Sequence, residues 1–452
     1  MGIEGRLLDE LPSISNEQIT WQYTRVSINY PFNNGIYFEI LDTLYLPEET
    51  LQGEEIEDEA FSIVGLNNSK GISAKTRYNP HGFIRVENTE TNFFEGVKNV
   101  KIYARNWFKI ATTFTNESGE FYINKRFVSA KVTVSFQNSH VNIKTIPGVR
   151  LWRVAYCSRI FLNSYNKIQG ADLTNISLNL GINSDLSSRG SRDWSAATIN
   201  NAIEDMQNLC TSENIPCAFN HLNVYAINWN DMGAAPMFRK MANSSLLDDF
   251  INITFGFVST PLLVALEQYL PDVLIGYGDN NNSRTLAINQ TVFHEFGHVL
   301  HYNQLQSNSW WMNLISYETI SHPGDYGDLN SNNSGYAAIA ESWSFFLEEY
   351  FAYRKFSPTD SRFLDNLNLN GFTFNWIPEG LPLDLLDTPD MWGGTDTENP
   401  IISDNVLGIS VSQYFSNLTS NMTEMNQIRD ALMINFPTQS TEIQSLYNSY
   451  GF

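Results

Sequence analysis

His294 and His298 stand four residues apart, with Glu295 between them, in Thr291-Val292-Phe293-His294-Glu295-Phe296-Gly297-His298-Val299-Leu300. On an α-helix, residues four apart lie one turn up the same face, so both imidazoles can reach one metal ion. Glu295 falls about 100° further round, beside the ion's open position. There a carboxylate can take a proton from a metal-activated water and return it to a leaving group. The H-E-x-x-H spacing thus predicts hydrolysis assisted by one catalytic Zn²⁺, with Glu295 as general base. The same two histidines could instead be satisfied groups of a buried helix, since Val292, Phe293, Phe296, Val299 and Leu300 make that helix apolar.

A catalytic zinc needs a third protein ligand. His301 shares a face with His294 but stands ~10 Å up the axis, too far for the same ion. The longer motif H-E-x-x-H-x-x-G-x-x-H is excluded, because positions 301 and 304 hold His301 and Gln304. Glu341 is the expected ligand. It is the only charged residue of the run Gly335-Tyr336-Ala337-Ala338-Ile339-Ala340-Glu341-Ser342-Trp343-Ser344-Phe345-Phe346-Leu347. A carboxylate buried in such company is costly unless paired or bound to metal. Glu318 is the rival ligand, and Glu348 and Glu349 read as the solvated side of the second helix. A donor for the developing oxyanion is expected between the helices, with Tyr326 first, then Tyr336 and His322; each has an ordinary packing role as its alternative. Gly233-Ala234-Ala235-Pro236-Met237 and Trp229 are placed near an edge strand that could pair with an extended peptide. Phe374-Asn375-Trp376-Ile377-Pro378-Glu379-Gly380 could wall a cleft, although ordinary packing explains either stretch better.

With H-E-x-x-H on one helix and Glu341 on the next, the helix pair resembles the gluzincin clan of zinc peptidases. The 43-residue gap from His298 to Glu341 is similar to that of the anthrax lethal factor group and longer than in thermolysin-like enzymes. Ala340-Glu341-Ser342-Trp343 also resembles a set of exported bacterial zinc peptidases. The likeness spans roughly residues 220–356. It implies a zincin-like fold, a peptide or protein substrate and export. One departure is plain: thermolysin-like enzymes carry an Asp four residues after the ligand Glu, where this chain has Phe345, so a partner for a zinc histidine must come from elsewhere.

The elements that would position these groups follow from periodicity. Residues 285–305, 335–356 and 422–433 read as helices; Leu222–Ile227 and Val273–Tyr277 read as strands. From His81 to residue 146 the pattern is β throughout, with period-2 runs at 82–86, 100–104, 121–123 and 130–134, and turn chemistry at Asn116–Phe121. This stretch is similar to the carboxypeptidase regulatory-like, or transthyretin-like, domains that accompany exported enzymes. The phrases Gly96-Val97-Lys98-Asn99-Val100-Lys101-Ile102 and Ser118-Gly119-Glu120-Phe121 carry that likeness, and it implies an accessory module. The expected organisation is an N-terminal segment 1–80 of unread function, with an acidic patch at 54–59, then a β-sandwich at 81–146 and an α+β hydrolase domain at 147–452.

The 452 residues carry 49 acidic and 27 basic side chains, a net charge of −22, and no Lys/Arg run longer than a pair. A nucleic-acid or anionic-membrane partner is therefore disfavoured, and no apolar run approaches the ~20 residues of a membrane span. Cys157, Cys210 and Cys217 show no C-x-x-C spacing, so thiolates are not the metal ligands; Cys210 and Cys217 could close a short disulfide loop after export. Ile3-Glu4-Gly5-Arg6 reads as a processing-protease site, with a native export segment expected upstream. Peptide hydrolysis is the leading function. The alternatives are a zinc amidase acting on cell-wall peptides and a silent binding protein on a peptidase fold, against which the intact Glu295 argues.

Overall fold

Alternating short runs become strands wherever their apolar face finds a core. The computed structural model describes residues 76–452 apart from 107–108, 147–157, 163–165, 229–232, 242–246, 248–269, 279–283, 324, 357–366, 368–371, 373–375 and 387–400. The acidic patch at 54–59, most of the 1–80 segment, Cys157, Trp229 and Phe374-Asn375 lie outside the described residues. Contacts divide the chain into two units between Lys75 and Thr76, and the second unit, Thr76–Phe452, contains all the described residues.

Among the described residues ten strands precede the first long helix: β1 (His81–Asn88), β2 (Phe93–Gly96), β3 (Lys101–Asn106), β4 (Lys109–Phe114), β5 (Glu120–Tyr122), β6 (Ser129–Ser135), β7 (Val141–Ile146), β8 (Arg159–Phe161), β9 (Ile168–Gln169) and β10 (Ile176–Leu180). One sheet runs β10-β1-β2, with β5 also on β1; a second runs β4-β3-β6-β8, with β9 also on β6. In β1 the side chains of Ile84, Val86 and Asn88 turn inward in alternation, as a half-buried strand requires. The Asn116–Glu120 turn forms as its residues predict. The Asn116 side chain accepts from the Ser118 and Glu120 amides at 3.1 and 2.9 Å, and Gly119 takes φ +77°, where a side chain would be forced into the Ile84 carbonyl.

The third sheet positions the site. After α1 (Arg189–Ser212) come β11 (Leu222–Ile227), β12 (Gly233–Ala234) and β13 (Val273–Gly276). The strand order is β12-β13-β11-β7, with β7, β11 and β13 parallel and β12 antiparallel on β13. Every residue of β11 is buried, which suits a parallel strand covered on both faces.

The expected break at 146/147 is not a break in the fold. β7 leaves the first stretch to pair with β11, while β8 and β10 return to the first two sheets. One apolar core runs from Ile84 to Tyr450. Period-2 patterning tells which face of a strand is buried but not which sheet it joins, and sheet membership removed this boundary. The architecture is mixed α and β, with mainly antiparallel and mainly parallel sheets in one unit.

Further along, the described residues form the helices α2 (Thr285–Leu305), α3 (Asn308–Ser316), a π-turn at Tyr317–Ser321, α4 (Ser334–Phe356), α5 (Leu381–Leu386), α6 (Val411–Phe415), α7 (Met425–Asn435) and α8 (Ser440–Ser449). The expected helices at 285–305 and 335–356 are α2 and α4; the third begins at Met425 and not at 422. No helix among the described residues is long and apolar enough to cross a membrane. The remaining cleft-wall residues Trp376 and Ile377 are buried in the core, the packing alternative. Cys210 and Cys217 are free thiols in side-chain contact, so the disulfide their spacing allows is not formed here.

Candidate metal centre

The first turn of α2 is pinned from the β region: the Thr285 amide donates to Thr89 Oγ1 at 2.8 Å, and the Thr89 amide donates back to Thr285 Oγ1 at 3.0 Å. Further along, α2 crosses α4 at Gly297. A side chain there would press on Ser344 at 3.1–3.2 Å, and the Gly297 carbonyl accepts from the Trp343 indole N–H at 3.1 Å. This close crossing, two residues beyond Glu341, carries that carboxylate to the histidines.

One ligand atom from each of His294, His298 and Glu341 lies within 4.8 Å of the others. His294 Nε2 is 3.3 Å from Glu341 Oε2, and His298 Nε2 is 3.2 Å from Glu341 Oε1. Two ligands bonded to one tetrahedral ion at about 2.0–2.1 Å stand roughly 3.3 Å apart, so each histidine and Glu341 are spaced as two ligands of a shared ion would be, and a His₂Glu donor set is one that zinc takes. All three side chains are buried. His294, His298 and Glu341 thus form a group that could hold a metal ion.

The electrostatics depart from ordinary values for stated reasons. Burial disfavours a charged His294, but hydrogen bonds to Glu341 and Glu348 outweigh it and raise its pKa well above normal. Burial likewise works against ionised Glu341, yet the charge of His298 and hydrogen bonds from both histidines hold its carboxyl below the usual range. Glu295 is pushed up to about 7, chiefly by burial, with His294 and His298 opposing and Glu341 and Glu348 adding. Its Oε2 has no hydrogen-bond partner. On the other side, Oε1 lies directly over the α-carbon of Gly233, where a side chain would come to 2.3 Å. Strand β12, outermost in its sheet among the described residues, thus passes against the expected base.

Two acidic residues of α4 lie differently from expectation. Glu348 is not on a solvated face: its Oε2 accepts from His294 Nδ1 at 3.0 Å, while His294 Nε2 faces Glu341. Glu348 follows Glu341 by two helical turns and therefore shares its face, a signal present in the spacing. The histidine partner that Phe345 could not supply comes from this residue, while the Phe345 ring packs edge-on against His294 at 4.5 Å. Glu349 is half-buried and accepts from Gln290 Nε2 at 3.2 Å.

Of the expected oxyanion donors, Tyr326 is brought to the triad. Burial, then the charges of Glu341, Glu318 and Glu295, push its hydroxyl pKa upward, and it hydrogen-bonds with Glu341. It remains a protonated donor. The backbone carbonyl of Tyr326 accepts from Tyr317 Oη at 2.8 Å, closing this loop onto the π-turn. Tyr336 is engaged elsewhere, accepting from Asn313 Nδ2 at 3.1 Å and packing on Trp310. His322 packs on Tyr317 with Nδ1 3.7 Å from Asp325. Glu318, on the π-turn, faces Glu341, and burial followed by that charge raises its pKa well above normal. It borders the triad without belonging to the group of three. His301 is fully buried beside Trp310 and Trp311, and burial followed by His298 lowers its pKa to about 3, so it is neutral.

Compared with known proteins, the chain matches no protein-family model, no curated protein and no solved structure.

Proposed function

We propose that this chain is a zinc-dependent peptidase with a zincin-like, gluzincin-type arrangement of its two site helices. The observation that carries the reading is the meeting of His294, His298 and Glu341 within one ion's reach, with Glu295 held between that point and the edge strand β12. When bound, Zn²⁺ supplies Lewis-acid polarisation of a carbonyl and acidifies a water to near neutrality.

The chain's own residues supply the rest. Glu348 accepts the His294 Nδ1 proton and so presents Nε2 as a lone pair. Glu295 Oε2, buried and without a partner, is the atom that takes the water's proton and passes it to the leaving amine. The Tyr326 hydroxyl, kept protonated by its surroundings, donates to the developing oxyanion, a contribution worth on the order of 10²–10³ in rate. The edge of β12 offers backbone groups to an extended peptide, which would lie beside Glu295.

The test is elemental analysis of zinc together with mass-spectrometric detection of cleavage in a random peptide mixture. Glu295→Gln should keep about one equivalent of zinc and lose about 10²–10⁴ in kcat/KM. Wild-type protein that holds no zinc after replenishment, or a Glu295→Gln variant that cleaves as well as wild type, overturns the reading.

A further inference from the structure

We propose that the outward face of the second sheet, on β3, β4 and β6, docks the chain onto an anionic lipid surface. The proposal goes beyond the peptidase reading and does not depend on it. The first observation is charge. Residues 98–169 carry 12 of the 27 basic side chains and 2 of the 49 acidic ones, a net +10 inside a chain of −22. β3, β4, β6 and β8 contain no Asp or Glu. In sequence these cations never run beyond a pair, which disfavours an anionic partner. Strand alternation and pairing gather on one face what residue order keeps apart.

Register gives the second observation. Opposed residues in antiparallel strands project on the same side, so three rows cross the face. Arg105 of β3 stands between Ile110 of β4 and Lys131 of β6. Tyr103 lies between Thr112 and Thr133, and Lys101 lies opposite Phe114. Arg105 and Lys131 are both exposed, and like charges directly opposed across strands cost stability. Lys167, bonded to Asn106 at the end of β3, is close enough for the Lys131 charge to add to burial in lowering its pKa. An anion laid over this cluster relieves the repulsion.

The third observation is apolar. Ile110 is 51% exposed and Phe114 44%, both on β4, which is outermost in its sheet among the described residues. The inward side of the neighbouring strands, Ile102, Ala104, Val132 and Val134, is buried in the core, so Ile110 and Phe114 belong to the face that the fold leaves open.

Together these features select the partner. Interfacial binding needs basic side chains that reach lipid phosphates and neighbouring apolar groups that enter the acyl boundary. A single nucleic-acid strand is held on open aromatic platforms. Here Lys101 Nζ already lies over the Tyr103 and Phe114 rings, at 5.0 and 6.0 Å from their centroids, and Ile110 offers no ring. Protein interfaces are depleted of charge at their centre, whereas Lys101 and Arg105 occupy the central strand of this face. The acidic remainder of the chain is repelled by an anionic bilayer, and that repulsion turns the basic face toward it.

The experiment is flotation of the full chain with phosphatidylcholine vesicles, with or without roughly a third phosphatidylglycerol, at about 0.1 M salt. Wild type should bind the anionic vesicles at least about 10-fold better than the neutral ones, and lose that preference at about 1 M salt. Lys101→Gln/Arg105→Gln/Lys131→Gln should bind about 100-fold more weakly, about fivefold for each cation removed. Ile110→Ser/Phe114→Ser should weaken binding at least about 10-fold and leave its salt dependence intact. Lys240→Gln/Arg284→Gln/Arg429→Gln removes equal charge elsewhere and should bind as wild type does; circular dichroism checks that each variant is folded. Wild type that stays off anionic vesicles, or binds neutral ones equally, overturns the proposal. So does binding that survives the first triple substitution or falls equally with the second. Capture of a polyglutamate peptide or an oligothymidylate strand, with no binding to vesicles, overturns it in favour of an acidic protein or a nucleic acid.

Discussion

The strands of residues 81–135 and the helix pair α2–α4 handle burial in opposite ways. In β1, β3 and β6 the inward positions carry no charge: most are apolar, Ile84, Ile102, Val132 and Val134 among them, with the neutral Asn88, Ser129 and Ser135, and in neighbouring β4 even Ile110 and Phe114 are left exposed. In α2 and α4 the buried set includes His294, Glu295, His298, His301 and Glu341. What the first region buries is accounted for by its own packing. The second buries ionisable groups that cost free energy unless a ligand meets them. That difference separates a scaffold from a site without reference to any motif.

The comparison breaks most visibly at Glu341. Glu341→Ala should bring zinc from about one equivalent to background and abolish turnover, because a two-histidine remnant lacks the third ligand that catalytic zinc requires. The rise in melting temperature that zinc gives wild type should vanish with it. Retention of zinc would return the histidines to the status of packed core groups. In the scaffold, Ile84→Ala should cost about 2–5 kcal/mol in urea unfolding, while zinc content and peptide cleavage stay at wild-type levels; a loss of metal there would mean the two regions are not separable.

Glu348→Ala should weaken zinc about 10- to 100-fold in chelator competition, since it frees the His294 ring without removing a ligand. Unchanged affinity would reduce the 3.0 Å contact to a surface pair. The smallest effect concerns Glu349, whose pKa is pushed up to about 8 by burial, then by Glu348 and Glu379. Between its ordinary value near 4.5 and about 8, the folded chain holds a proton that the unfolded chain releases, so stability declines as pH rises through that window. Glu349→Gln should remove the decline, a gain on the order of 1 kcal/mol at pH 8 after allowance for solvent screening, and nothing at pH 4. An equal gain at both values would assign the effect to packing.

Much of the site could be read from residue order. His294 and His298 had to share a helical face, Glu341 stood alone among apolar neighbours, and Tyr326 lay in a Pro- and Gly-containing loop between the helices. Glu348 was equally readable by its two-turn spacing from Glu341, but it sits beside Glu349 where a solvated acidic pair is the commoner pattern. Glu318 was less accessible, because the π-turn that aims it at Glu341 has no signature in Tyr317-Glu318-Thr319-Ile320-Ser321. The accessory β module was misjudged for a different reason. Its strands are where alternation put them, yet β7 pairs with β11 some eighty residues away, and such pairing depends on contacts that no local pattern encodes.

Residue order by itself determined the things with a short period: which faces of α2 and α4 carry the histidines and Glu341, which side of each strand is apolar, and the turn at Gly119. Only the tertiary structure decided which carboxylate meets which histidine, that Gly233 lies under Glu295, and that the β stretch and the helices share one core. The physical reason is range. Helical and strand periodicities are set by neighbours three or four residues away, whereas the triad exists because Gly297 lets α4 approach α2 and the Trp343 N–H holds it there.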